Sequence, residues 1–182
     1  QYVEPKTGII IKPVFSVNYS KNDYKMKNVQ IRNAEGTEFI TTDRRRFHDD
    51  YLSLFGQMEV GVTDQSWADA FFVSASLSKI DKELQTGSTQ SWVYGMAERN
   101  TKSANVSARY NKSDFLLDDL NVSASFSHTW DHSETVDTTY RKYFWDGSYI
   151  NGHHSEMRGR ARSWRHYKRP MTIVRSNVEY KL

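Results

Sequence analysis

SANVSARYNKSDFLLDDLNVSASFS, residues 103–127, decides how this chain is read. Ala104, Val106, Ala108 and Tyr110 alternate with Ser103, Asn105, Ser107 and Arg109, and beyond a polar break Leu120, Val122, Ala124 and Phe126 alternate with Asn121, Ser123, Ser125 and Ser127. Successive side chains of a strand point to opposite faces, so a period of two gives each segment one apolar face and one small-polar face. Asp118 and Asp119 close the break and suit a short turn, because their carboxylates bond nearby backbone N–H groups.

The same alternation recurs outward in both directions. Phe15, Val17 and Tyr19 oppose Ser16, Asn18 and Ser20; Leu52, Leu54, Met58, Val60 and Val62 oppose Ser53, Gln57 and Glu59; Phe71, Val73, Ala75 and Leu77 oppose Phe72, Ser74, Ser76 and Ser78, just after the turn-like TDQSWAD. A sixth run, from about Met157 to Lys168, sets Arg158, Arg160, Arg162 and Trp164 on one face. A seventh follows Pro170, with Val174, Ser176, Val178, Tyr180 and Leu182 together. Long joins alternate with short ones between these runs, so every long connection falls at one end and every short one at the other. Compact domains favour short connections throughout, whereas outer-membrane barrels pair short periplasmic turns with long outer loops. The predicted fold is therefore all-β, an antiparallel up-and-down meander of about seven strands belonging to a larger transmembrane β-barrel. The alternative is a soluble β-sandwich, secreted as a binding module for a glycan or protein. A sandwich buries its apolar face against a second sheet, and Ala104, Val106, Ala108 and Ala124 are small for that task.

Composition is consistent with an ordered β protein. Aromatic residues make up 14% and prolines number 3, the reverse of a disordered chain. A mean hydropathy of -0.76 and the lack of a long apolar run exclude a helical span but not a barrel, where only alternate residues meet lipid. Twenty-five basic against 22 acidic residues is too even to indicate nucleic acid. With no cysteine, thiol nucleophiles and zinc–thiolate sites are excluded. QYVEPKTG lacks the marks of a signal peptide, and the chain starts and stops in strand-like sequence. Residues 1–182 are thus expected to be a single β region, an internal or carboxy-terminal part of a larger barrel.

No GxSxG elbow, phosphate loop or facing carboxylate pair is present, so neither an enzyme nor a cofactor is expected. HTWDH places His128 and His132 four apart; on a strand that is about 13 Å, too far for one ion, with His153 and His154 the conceivable loop partners, and no metal site is assigned. Arg44 to Arg46 and the run from Arg158 to Arg169 are the basic clusters. Interleaved with Trp164, His166 and Tyr167 they could bind single-stranded nucleic acid, but alternation favours Arg158, Arg160 and Arg162 as a basic row facing a lumen. Trp92, Tyr94, Tyr143, Trp145 and Tyr149, with Phe144, concentrate in two connections, where exposed aromatics beside polar groups suit a ligand site or pack the loops together. Tyr19, Trp67, Tyr110, Trp130, Trp164 and Tyr180 fall near strand ends, as interfacial girdles require.

The stretches GVTDQSWADAFFVSASLSKIDKELQTGSTQSWVYGMA, NVSASFSHTWDHSETVD and RGRARSWRHYKRPM resemble the barrel of TonB-dependent outer-membrane receptors. The resemblance is one of strand and turn texture, from about residue 45 onward. It implies a bacterial outer-membrane location, a barrel of about twenty-two strands, membrane lipid around it, and a plug domain of the same full-length protein inside it. It also implies uptake of a small nutrient ligand driven by the energy-coupling TonB complex through regions outside this sequence.

Overall fold

The protein, in a computed structural model, is described over residues 2–4, 7–32, 37–87, 89–157 and 161–180. The strands are β1 (Tyr2–Val3), β2 (Ile9–Ser20), β3 (Lys25–Arg32), β4 (Phe39–Arg45), β5 (Tyr51–Gln65), β6 (Ala68–Glu83), β7 (Glu98–Lys112), β8 (Leu120–Asp137), β9 (Arg141–Tyr143), β10 (Tyr149–Asn151) and β11 (Ser163–Tyr180). One open sheet runs β1-β2-β5-β6-β7-β8-β11, antiparallel at every pairing, and the hairpins β3–β4 and β9–β10 are separate two-stranded sheets. The all-β, up-and-down meander read from the alternation is the observed fold.

From Ser163 onward the sixth run continues into the seventh as one strand, so six long strands and the short β1 form the sheet. Ser163–Tyr180 pairs continuously with β8, with Pro170 opposite Trp130 in mid-strand. Proline lacks an N–H and is tolerated where the ladder has a free side. β11 is outermost in the sheet, and Pro13 lies in β2 beyond its two-residue pairing with β1. The residue type that usually breaks a strand therefore marks the sheet's two edges.

Long connections 21–50, 84–97 and 138–162 lie at one end of the strands, and the short turns 66–67 and 113–119 at the other. Asp64, Asp114 and Asp119 have φ of 58°, 52° and 63° beside or within the short turns, a region aspartate enters more readily than most residues. In the second turn the Asp119 amide donates to Asp114 Oδ1 at 2.8 Å and the Phe115 amide to the Leu120 carbonyl at 2.7 Å.

Register carries the alternation across the whole sheet. Ile11, Val60, Val73, Ala108, Phe126 and Val174 form one row, and Phe15, Gly56, Leu77, Ala104, Trp130 and Pro170 another. Together with the rows around them they make a continuous apolar band. It stays open: Phe15 is 77% exposed, Val174 71% and Leu77 68%. Among the described residues no second layer covers it, since each sheet strand contacts only its ladder neighbours. Within the band His128 is satisfied by Thr172, its Nδ1 2.6 Å from the hydroxyl, with Trp130 edge-on to the ring.

The opposite face is a polar lattice. Ser74 bonds Ser107 at 2.8 Å, Ser103 donates to Asp131 at 2.6 Å, and Asn105 reaches Ser127 and Thr129 at 2.9 and 2.8 Å. Glu59 receives Lys12 at 3.2 Å and Arg109 at 3.1 Å, and both cations lie 4.6 Å from the centroid of Phe72. Phe72 is 6% exposed because its ring lies over Gly61 on the facing strand, where an added Cβ would come within 2.3 Å of the ring and of the Phe71 carbonyl.

Gly61→Val should therefore displace the Phe72 ring and lower stability by about 1–3 kcal/mol. Thermal unfolding followed by far-UV circular dichroism tests this, with Ser76→Val on the same face of the sheet as the comparison. Equal midpoints for Gly61→Val and the unsubstituted chain would show that the ring is not seated there.

Candidate functional site at the long-connection end

The three long connections pack on one another, and they bury the main apolar cluster of the described residues. Val29 of β3, Val93, Tyr143 of β9 and Trp145 form that cluster, with Met26 and Ile31 against it. One isolated bridge, Thr86 to Val93, folds the 84–97 connection on itself; another, Val93 to Tyr143, joins it to β9, and the Trp145 indole donates to the Gln90 carbonyl at 3.0 Å. Gly95 allows the approach, because a Cβ there would meet the Tyr143 ring at 2.4 Å.

Two buried polar side chains organise the backbone around this cluster. Gln85, 1% exposed, accepts from the amides of Phe47 and His48 at 2.6 and 2.8 Å and donates to the Tyr94 carbonyl at 3.1 Å. Glu156 Oε2 accepts from the amides of Gly95, Met96 and Ala97 at 2.9, 3.0 and 3.2 Å, while Oε1 accepts from the Thr139 hydroxyl. A carboxylate holding three successive amides fixes one loop against another, since such charge-assisted bonds are among the stronger ones. Burial raises the Asp49 carboxyl above its ordinary range against the opposing pull of Arg46, 3.0 Å away. In the β9–β10 turn, the Ser148 hydroxyl and amide hold the Asp146 carboxyl below its ordinary range.

The aromatic residues singled out in the sequence divide in two. Tyr94, Tyr143 and Trp145 are 6%, 8% and 8% exposed, and their rings are used in packing. Neither Trp92 nor Tyr149 is in the buried core. Trp92 walls a cavity of about 510 Å³ with Arg141, Lys142, His153, His154 and Glu156. Tyr149 lies at the surface with the Arg141 guanidinium 4.1 Å above its ring. Arg141 also donates to the Tyr143 hydroxyl at 3.3 Å. Two cations beside an indole wall suit a small ligand carrying an anionic group. Arg141 and Lys142 were not singled out from sequence, because nothing in YRKYFW distinguishes a cation lining a cavity from one in solvent.

Arg158, Arg160 and Leu182 lie outside the described residues. Arg162 precedes β11 and stacks on Tyr140 at 4.6 Å, its amide donating to the Tyr140 hydroxyl at 3.4 Å, so it is not part of a strand row. Trp164, placed on their face, lies on the same side of the sheet as the apolar band but beyond its end, opposite Val136. The polar face instead receives Arg109 of β7 and Arg165, Arg169 and Arg175 of β11, the last three paired with Thr135, Asp131 and Ser125. The first basic cluster is engaged locally: Arg45 meets Asp23 at 3.1 Å and Arg46 meets Asp49.

No protein-family model matches the chain, and neither does any curated protein or solved structure.

Glu156→Gln keeps the shape but points an amide group at three N–H donors, and should loosen the loop assembly by about 1–3 kcal/mol. Hydrogen exchange checks it: amides of residues 95–97 should exchange faster while those in the centres of β6 and β7 keep their protection. Uniform acceleration across the sheet would contradict a local role.

Proposed function

We propose that this chain forms part of the wall of a bacterial outer-membrane transport barrel of the TonB-dependent receptor type, with the packed long loops as its external ligand-binding surface. The observation that carries the reading is the uncovered apolar band on one face of a sheet whose other face is a hydrogen-bonded polar lattice. A barrel in lipid needs this division, with apolar residues outward and polar ones lining the lumen.

Three further features support it. On β8 the band runs from Leu120 to Trp130, roughly 34 Å along the strand and so close to the height of an outer-membrane band once the strand is tilted by up to about 45°. From β2 to β11 both band limits shift four residues toward the short turns, from the row of Tyr19 and His166 to that of Pro170, and from the row of Ile9 and Ser176 to Tyr180. That drift corresponds to strands tilted by roughly 30°, near the tilt of closed barrels. Aromatic side chains mark both limits, with Tyr19 and Trp130 toward the long connections and Tyr110 and Tyr180 toward the turns.

In this reading a small nutrient binds near Trp92, Arg141 and Lys142, and a plug domain faces the polar lattice. Plug displacement, driven by the TonB complex, then opens the lumen. The chain supplies binding groups and a wall, and no bond chemistry.

The test is refolding of Val106→Lys and Ser107→Lys chains into liposomes, followed by circular dichroism and protease protection. Val106→Lys places a charge on the apolar face and should cost about 2–4 kcal/mol of insertion, whereas Ser107→Lys on the polar face should insert like the unsubstituted chain. If the unsubstituted chain is a monomeric, cooperatively folded β protein in plain buffer, or if both variants insert equally, the lipid-facing assignment fails.

A further inference from the structure

Above the apolar band, toward the long connections, His132 and Glu134 of β8 meet His166 of β11. His132 and Glu134 are two apart and so share a face, and His166 is paired directly opposite Glu134. Glu134 Oε1 lies 3.1 Å from His132 Nε2 and 3.2 Å from His166 Nδ1, and the three ligand atoms are within 4.8 Å of one another. Around a tetrahedral zinc ion with bonds near 2.0–2.1 Å, neighbouring donor atoms stand roughly 3.3 Å apart, so little rearrangement separates this cluster from a coordination shell.

We propose that His132, Glu134 and His166 form a binding site for a late first-row divalent transition metal such as Zn²⁺, Cu²⁺ or Ni²⁺. Two imidazoles and one carboxylate are a donor set these ions favour. The site is built on two paired strands, which hold donors more firmly than loops do, and Trp164 packs against His166 with ring centroids 5.0 Å apart. All three side chains keep partial exposure, 32%, 28% and 43%, so water or a ligand atom can complete the shell. Lys102 and Lys168 flank His132 in register on either side. Their charge opposes Ca²⁺ and Mg²⁺, which are held by charge on oxygen donors, more than ions bonded through imidazole nitrogen. The site draws on neither the membrane reading nor the loop cavity.

Isothermal titration of the full 182-residue chain with Zn²⁺, in the medium where circular dichroism shows it folded, tests the proposal. One ion per chain is expected, with His166→Ala and Glu134→Gln each weakening binding about tenfold or more. His128→Ala and His153→Ala should bind as the unsubstituted chain does, and Ca²⁺ and Mg²⁺ should give no binding. His166 is on the outermost strand, so its variant is expected to keep the sheet; Glu134→Gln, nearly the same shape, provides an independent reading. Absence of Zn²⁺ binding, unchanged affinity in both variants, or loss of binding in His153→Ala instead would overturn the assignment.

Discussion

Cross-strand register constrains everything else in this molecule. A strand's side chains alternate faces, so a slip of one residue between any two neighbours would exchange the apolar and polar sets of one whole strand. From β2 to β11 no such slip occurs: Phe15, Gly56, Leu77, Ala104, Trp130 and Pro170 share one row and one face. The serine-rich lattice on the other face is the counterpart of that row. Ser74 with Ser107, Ser103 with Asp131 and Asn105 with Ser127 and Thr129 are bonded across strands because their registers place them opposite or diagonal.

Register also fixes which ionic groups come together. Lys12, Glu59 and Arg109 come from three different strands and meet around Phe72, whose ring occupies the space left by Gly61. His132, Glu134 and His166 meet by the same means on the other face. Neither group exists within one strand, and each depends on its ladders keeping phase.

The loops follow a different principle. The sheet leaves its apolar band open, while the connections at one end bury Val29, Val93, Tyr143 and Trp145 and satisfy their backbone through Gln85 and Glu156. Long irregular segments hold a defined shape only when their N–H and C=O groups find partners, and these two side chains supply partners to the connections. What remains outside that packing is Trp92 and the cations Arg141 and Lys142 along the cavity, and Tyr149 at the surface.

The sequence by itself determined the long strands from β2 to β8 that build the main sheet, their faces and the end at which long connections gather, because period-two alternation and connection length are local properties of a chain; the hairpins β3–β4 and β9–β10 carry no such alternation signal. Five of its seven runs became separate long strands; the other two fused, since whether a proline breaks a strand depends on its place at a sheet edge, which Pro170 does not reveal locally. The packing role of Tyr94, Tyr143 and Trp145 was equally illegible, because an aromatic in a loop reads the same whether it meets ligand or another loop. Only the tertiary structure decided these, together with the meeting of His132 and Glu134 with His166. HTWDH shows two histidines about 13 Å apart along one strand; the third donor comes from the next strand of the sheet, through a pairing that no spacing in the chain encodes.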